Sequence, residues 1–372
     1  MKLSAVPIKW LQPLSRDFRG NWSRTATGLA VLLGVFAISL WYSLNAGAIQ
    51  LDWAKLVRYS WLSWQEGREA AAALEPQGLS QAYVFWDMRL PRVLFALLVG
   101  AALGLCGALS QGLFRNPLAD PGLLGVTTGA ACAAALCIVL LSSLPFSLPE
   151  QWRSISLPLA AFAGALLTCL LLDSLARWLT PGSVSGLLLT GIALNALAAA
   201  CIGVCTYLSN DEQLRNLSFW TLGSLAAASW PLLATLSLLL LLACIGLPRL
   251  ARQLNALALG NEAAQQSGVA IHRLRWQVVL TVAILTGAAM AWCGAISFIG
   301  LVAPHWVRML LGADQRRVIP GAMLSGALLL LLADTLARTL ALPAEIPIGI
   351  LTALIGSPVL LLLLRQSRRS LY

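Results

Sequence analysis

The chain has 372 residues, of which 59% are apolar and only 11% charged, where a soluble domain carries roughly 25% charged residues. With a mean hydropathy of +0.79, that apolar content cannot be hidden in a soluble fold of this length, in which most side chains still meet water. A soluble enzyme, a disordered chain and a disulfide-stapled secreted module are excluded, which leaves an all-α integral membrane protein. The net charge of +10 would point to nucleic acid in a soluble protein. Here it matches the excess of arginine expected on the cytoplasmic side of a membrane, so the expected partner is lipid and not nucleic acid.

About 20 apolar residues cross a bilayer as a helix. A basic N-terminus, residues 1–24 with Lys2, Lys9, Arg16, Arg19 and Arg24, precedes the first such run at 25–44. That run is long and its basic lead extended, which favours a retained span over a signal peptide cleaved near Ala46–Ala48. Nine more spans are predicted at 92–112, 123–142, 157–178, 186–208, 230–248, 276–294, 296–311, 318–340 and 347–364. They complete a permease domain over 25–364 with a tail at 365–372. Ten spans put both termini on one side. Most lysines and arginines, among them Arg115, Arg177, Arg249, Arg273, Arg308, Arg316 and Arg365, then fall inside, which makes the termini cytoplasmic. Trp41, Trp152, Trp178, Trp230 and Trp276 sit near span ends, where an amphipathic ring prefers the headgroup level.

Between spans seven and eight, Gly294–Gly300 is too short for a loop and predicts a tight bend or a broken helix. The stretch Asn45–Arg89 faces outward, and Ser209–Ser229 reads as an outer amphipathic segment. The polar stretch 250–275 faces inward with a helix-forming run. Gly107-Ala108-Leu109-Ser110 resembles Gly294-Ala295-Ile296-Ser297 at a corresponding place, which would suit an inverted repeat of four helices. The eight cysteines lie in apolar runs without a CxxC pair and read as small hydrophobes, with no metal site expected.

A proton-coupled carrier needs ionisable groups near mid-bilayer. Only Asp173 and Asp334 lie within spans, and Arg177 and Arg338 follow each by four residues, so pairing along one helix face is favoured over a proton relay. A self-contained pump needs the phosphate loop GxxxxGK[ST]. The three lysines, Lys2, Lys9 and Lys55, occupy no such loop, so the chain is read as no enzyme and any ATP must be used by another subunit. Glu262-Ala263-Ala264 with Gly268 reads EAAxxxG, with Leu257, Leu259, Ala263, Ala264 and Val269 as an apolar face and Gly268 permitting a left-handed turn. This resembles the cytoplasmic docking loop of ATP-binding-cassette (ABC) importer permeases.

Longer runs extend the resemblance. They are Arg89-Leu90-Pro91-Arg92, Val99–Ala102, Gln111, Asn116–Gly125, Phe298–Val302, Pro304-His305, Arg308, Gly312, Asp314, Arg316, Ala333-Asp334, Ala337-Arg338 and Glu345–Gly349. From about residue 85 onward these resemble the permease family of bacterial importers for iron-siderophores, haem and cobalamin, often called the FecCD family. The resemblance implies a ten-span type II ABC-importer permease of the bacterial inner membrane. It also implies a homodimer with the pathway at its interface, two cytoplasmic ATPase subunits that hold ATP and Mg, and a periplasmic substrate-binding protein. The chain itself would bind no cofactor.

Carried over residue by residue, Arg89, Arg92 and Arg338 match outward arginines that pair with glutamates of the binding protein. The alternative is that Arg338 serves only Asp334 while Arg89 and Arg92 anchor span two. Asn116 and Leu118 match one cytoplasmic gate element and Ser183–Gly186 the other, though these are also ordinary turn formers. Leu259, Gly260, Glu262, Ala263, Ala264 and Gly268 match the ATPase-docking segment. Gln315 departs from the histidine usual there. Span five, with Gly191, Ala193, Ala196, Ala198, Ala199, Ala200 and Gly203, is the expected pathway lining. The run Tyr207–Leu225 is most similar to haem-importer permeases, with a ferric siderophore or cobalamin as alternatives.

Overall fold

The computed structural model of the chain describes residues 34–142, 149–180 and 183–369. The basic N-terminus, the first part of the first expected span and residues 370–372 lie outside the described residues. Helices are the only regular structure of the described part, starting with α1 at 34–45. Then follow α2 (Trp53–Gln65), α3 (Arg68–Leu74), α4 (Pro76–Tyr83), α5 (Leu90–Phe114), α6 (Val126–Ser142), α7 (Glu150–Leu179) and α8 (Val184–Leu208). The remainder is α9 (Asp211–Leu222), α10 (Trp230–Ala258), α11 (Asn261–Gln266), α12 (Ile271–Cys293), α13 (Ile299–Leu311), α14 (Gln315–Thr339) and α15 (Ile348–Arg369).

Six stretches are long and apolar enough to cross a membrane: Pro76–Phe114, Ile155–Leu179, Ser185–Leu208, Trp230–Ala258, Ile271–Cys293 and Gln315–Thr339. Three shorter apolar helices, Val126–Leu141, Ile299–Leu311 and Ile348–Leu361, stand at three other expected spans. With α1, every one of the ten predicted spans coincides with a helix among the described residues. The boundaries differ where apolar periodicity underestimates polar helical turns. α10 runs ten residues past the expected end at 248, and α12 begins five residues early, so the inward stretch 250–275 is largely helix. α15 continues through most of the expected tail.

α5 is the axis of the fold, packed on α14, α13, α10 and α12. Backbones must approach closely here, and glycine permits it: a Cβ on Gly104 would stand 2.0 Å from the Ala322 carbonyl oxygen, and one on Gly107 1.8 Å from that of Gly300. Such small-residue seams substitute for the hydrophobic drive that lipid removes between helices. α5–α8 span 25, 17, 30 and 25 residues and α12–α15 span 23, 13, 25 and 22. In both quartets the second helix is shortest and the third longest, the pattern an internal repeat would leave. The tetrapeptides offered for that repeat are not equivalent, however: 107–110 lie inside α5, whereas 294–297 form the break before α13. At that break Gly294 and Phe298 both have φ of 68°, so the chain turns without a loop.

Outside the spans, α2–α4 wrap a small core of Leu56, Tyr59, Ala71 and Ala82. α9 carries a reciprocal cap between Asn210 and Gln213, which fixes the start of the outer amphipathic segment.

Candidate functional site

At the face expected to point outward, sequence spacing places Arg338 on Asp334 but does not reveal what else gathers there. Asp334 is fully buried and shared between two helices: its Oδ2 accepts from Arg338 Nε at 3.0 Å and its Oδ1 from Arg92 Nε at 3.0 Å. Arg92 turns its other edge to Glu345 in a two-bond fork, both bonds 2.9 Å. Arg338 also donates to the Ser43 and Ala46 carbonyls, each at 3.1 Å. Arg89 donates to the carbonyls of Leu44, Asn45 and Ile49. Together the two arginines satisfy carbonyls at and beyond the C-terminus of α1, where helix backbone lacks its own partners and cations are favoured.

The three matched arginines are held to different degrees within the chain. Arg89 and Arg338 are each 6% exposed, with their donors spent inside the chain. Arg92 sits at the rim, paired to the exposed Glu345. These groups line an outer cavity of about 340 Å³ beside Asp87 and Pro343. Sequence reasoning had noted Glu345 only inside a motif. Its signal was an acid in a short outer turn opposite a motif arginine.

At the face expected to be cytoplasmic, the candidate docking segment is a short hairpin. Leu259 closes α10 and is 79% exposed. Gly260 (φ 117°) and Gly268 (φ 79°) bracket α11, each in a backbone region that L side chains avoid. Glu262 is exposed and among the described residues makes no ion pair within 4 Å. The apolar face differs from expectation. Leu257, Ala264 and Val269 are buried in the main core and Ala263 is half-buried, because α11 must seat on α10 and α12. The surface left for a partner is Leu259, Glu262, Gln265, Gln266 and Ser267 with the two glycine turns.

The gate candidates occupy two separate turns. After α5, Arg115 takes a left-handed conformation and Asn116 Oδ1 accepts from Leu118 N at 2.9 Å. Ser183 caps α8, its Oγ accepting from Gly186 N at 3.0 Å. Gly186 is required, since a Cβ there would lie 1.8 Å from Thr180 Oγ1. Residues 181–182 between them lie outside the described residues. A residue that sequence reasoning missed ties α8 to the segment before and at the start of α6: Asn195 donates to the Gly122 carbonyl at 3.1 Å and accepts from Thr128 Oγ1. A single amide in an otherwise apolar span was the available signal.

Of the small residues in α8, Gly191 turns inward, a Cβ there falling 2.2 Å from the Leu123 carbonyl oxygen. Ala193, Ala196, Ala199, Ala200 and Gly203 are instead uncovered. Asp173 pairs with Arg177 at 3.1 Å as the spacing predicted, and with Arg275 of α12 at 3.5 Å, which it did not.

The model of the FecCD transport family matches residues 34–366. The chain is 47% identical over 340 residues to the hemin transport system permease HmuU of Yersinia pestis, covering 91% of this chain and 94% of that one. It is 39% identical over 342 residues to the vitamin B12 import permease BtuC of Serratia proteamaculans, covering 91% and 92%. To the Fe(3+) dicitrate transport permease FecD of Escherichia coli it is 39% identical over 327 residues, covering 88% and 94%. A solved structure described as an inward-facing conformation of a metal-chelate type ABC transporter matches with a TM-score of 0.74 and 33% identity, covering 92% of this chain and 99% of that one. Nine apolar helices at expected spans, a repeated pattern of lengths in two quartets and these matches agree: the chain belongs to the FecCD transport family and is a multi-pass membrane permease of the ABC-importer type.

Proposed function

We propose that the chain is the conduit of a haem importer in the bacterial inner membrane, with both termini cytoplasmic. It works as a homodimer with two ATPase subunits and a periplasmic binding protein. The observation that carries the substrate is the 47% identity to a hemin permease across nine tenths of the chain, against 39% for the cobalamin and ferric dicitrate permeases. ATP and Mg belong to the ATPase subunits. The chain itself, which has no phosphate loop, hydrolyses nothing.

In this reading the loaded binding protein settles on the outer face. Its carboxylates compete with Glu345 for Arg92, whose planar fork suits a two-bond contact, while Arg89 and Arg338 hold the rim in place through α1. Closure of the ATPases pushes on Leu259, Gly260, Glu262, Ala263, Ala264 and Gly268, of which Leu259 and Glu262 offer the exposed contacts. α10 and α12, seated on α11, carry that motion to the turns at Asn116–Leu118 and Ser183–Gly186. The uncovered small-residue face of α8 meets its counterpart on a second copy and leaves a smooth, wide path. A mid-span histidine or carboxylate is absent from α8, which suits a channel that passes a bulky ligand without holding it.

The test is ATPase activity of the reconstituted complex with its binding protein. Haem should stimulate hydrolysis and drive uptake, with a ferric siderophore and cobalamin as the other arms. Stimulation by one of those alone removes haem as substrate. ATP hydrolysis by this chain in isolation removes the division of labour.

A further inference from the structure

A groove of about 600 Å³ opens between α10 and α14 near their cytoplasmic ends, and none of the outer arginines, hairpin residues or gate residues lines it. Its upper walls are apolar, with Leu247 and Pro248 from α10 and Ile319 and Pro320 from α14. Next to it along α10, Leu238, Leu241, Leu242 and Ile245 are exposed, as expected where a helix faces acyl chains. The lower end is cationic. Arg252 and Arg316 line it, both exposed, and among the described residues neither has a carboxylate within 4 Å. The one acid nearby, Asp314, accepts instead from Asn255 Nδ2 at 2.6 Å and from the Arg316 backbone N–H at 2.9 Å.

The groove also holds spare acceptors. Gln315 is 6% exposed, and its Oε1 has no partner among the described residues. Pro248 and Pro320 stand inside their helices. A proline lacks the N–H that would bond the carbonyl four residues back, so the carbonyls of Cys244 and Arg316 lose their ordinary donors at this same groove. Two cations and three acceptors over an apolar slot match one ligand chemistry: a phosphodiester anion bearing hydroxyl donors, on acyl chains. A zwitterionic headgroup would set its ammonium against Arg252 and Arg316. Basic pockets between helices on the cytoplasmic side are where anionic headgroups bind.

We infer that this groove is a binding site for an anionic glycerophospholipid of the phosphatidylglycerol type. Its phosphate lies on Arg252 and Arg316, its headgroup hydroxyls donate to Gln315 and the freed carbonyls, and its chains run along Leu247 and Ile319. The inference is independent of what the permease transports.

The full-length protein is assembled in nanodiscs containing equal phosphatidylglycerol, phosphatidylethanolamine and phosphatidylcholine, released gently, and its retained lipid counted by native mass spectrometry. Phosphatidylglycerol should be retained in preference to both others. Because each arginine near an anionic headgroup contributes about fivefold in affinity, the Arg252→Gln/Arg316→Gln double variant should lose of the order of 25-fold. In a second set of nanodiscs in which phosphatidic acid replaces phosphatidylcholine, Gln315→Leu, which removes the buried acceptor but no charge, should lower retention of phosphatidylglycerol more than that of phosphatidic acid, which lacks the headgroup hydroxyls. Both arginines are exposed, and an unchanged elution volume shows that the double variant is folded. Equal retention of the three lipids, or phosphatidylglycerol retention unmoved in the folded double variant, overturns the site.

Discussion

Two guanidinium groups meet one fully buried carboxylate at Asp334, and that arrangement decides what Arg338 does. Removing a partner from a buried ion pair costs several kcal/mol because a charge is left uncompensated. Arg92 remains on Asp334 in Arg338→Ala, so the loss should lie at the low end, about 3 kcal/mol, and Arg338→Glu should fail to fold. Arg92→Ala, at the rim, should cost less stability and weaken binding-protein docking more. Thermal unfolding in detergent and binding-protein affinity, measured on the same variants, separate the two roles. An Arg338→Ala protein that melts with the parent but no longer docks would return Arg338 to the encounter surface. Asp334–Arg338 was legible from i,i+4 spacing. Glu345 on Arg92 was not, since 253 residues separate them.

Asp314 makes a second prediction at this scale. The Arg316 backbone N–H and the Asn255 amide, with Arg316 and Arg317 nearby, hold its carboxyl below the usual carboxylate range. A group whose folded pKa is depressed contributes stability above its unfolded pKa, and that contribution is lost as pH falls through the folded value. The start of α14 should therefore weaken only below about pH 3.9. Asp314→Asn keeps a capping oxygen and should flatten that acid limb of the unfolding curve. An unchanged acid limb would show that the cap carries no pH dependence.

Among elements, the α5 seam and the α11 hairpin respond oppositely to substitution. Gly107→Val would place its Cβ 1.8 Å from backbone oxygen, which no rotamer relieves. It should abolish stable expression, whereas Gly203→Ala, with open space around it, should express as the parent does. Gly268→Pro demands φ near −65° where the backbone holds +79°. It should leave membrane insertion intact and uncouple ATP hydrolysis from import in the assembled complex. Full import by that variant would show that this hairpin does not dock. Which helices exist was readable from apolar runs. Their true ends were not, because α10 and α12 are extended by turns held through tertiary contacts, with α11 and with Asp314 and Gln315 at the start of α14.

For the whole molecule, the uncovered face of α8 is the feature that a single copy leaves unexplained. Ala199→Cys in the assembled complex should cross-link to a second copy with a short bifunctional reagent, and Ala199→Trp should block transport while preserving assembly of the hairpin with the ATPase. Absence of any cross-link would move the pathway off this face.

Composition and apolar period by themselves determined a ten-span helical membrane protein, because lipid admits few structures that satisfy every backbone group. Short motifs likewise marked the outer arginines, both turns and the inner hairpin, since these depend on local spacing. Only the tertiary structure decided which of those side chains are free. Burial of Arg89, Arg338, Leu257 and Ala264, the sharing of Asp334, the bridge through Asn195 and the groove at Arg252 and Arg316 all join residues remote in sequence. Such contacts are set by how helices pack, and a one-dimensional pattern holds no record of that.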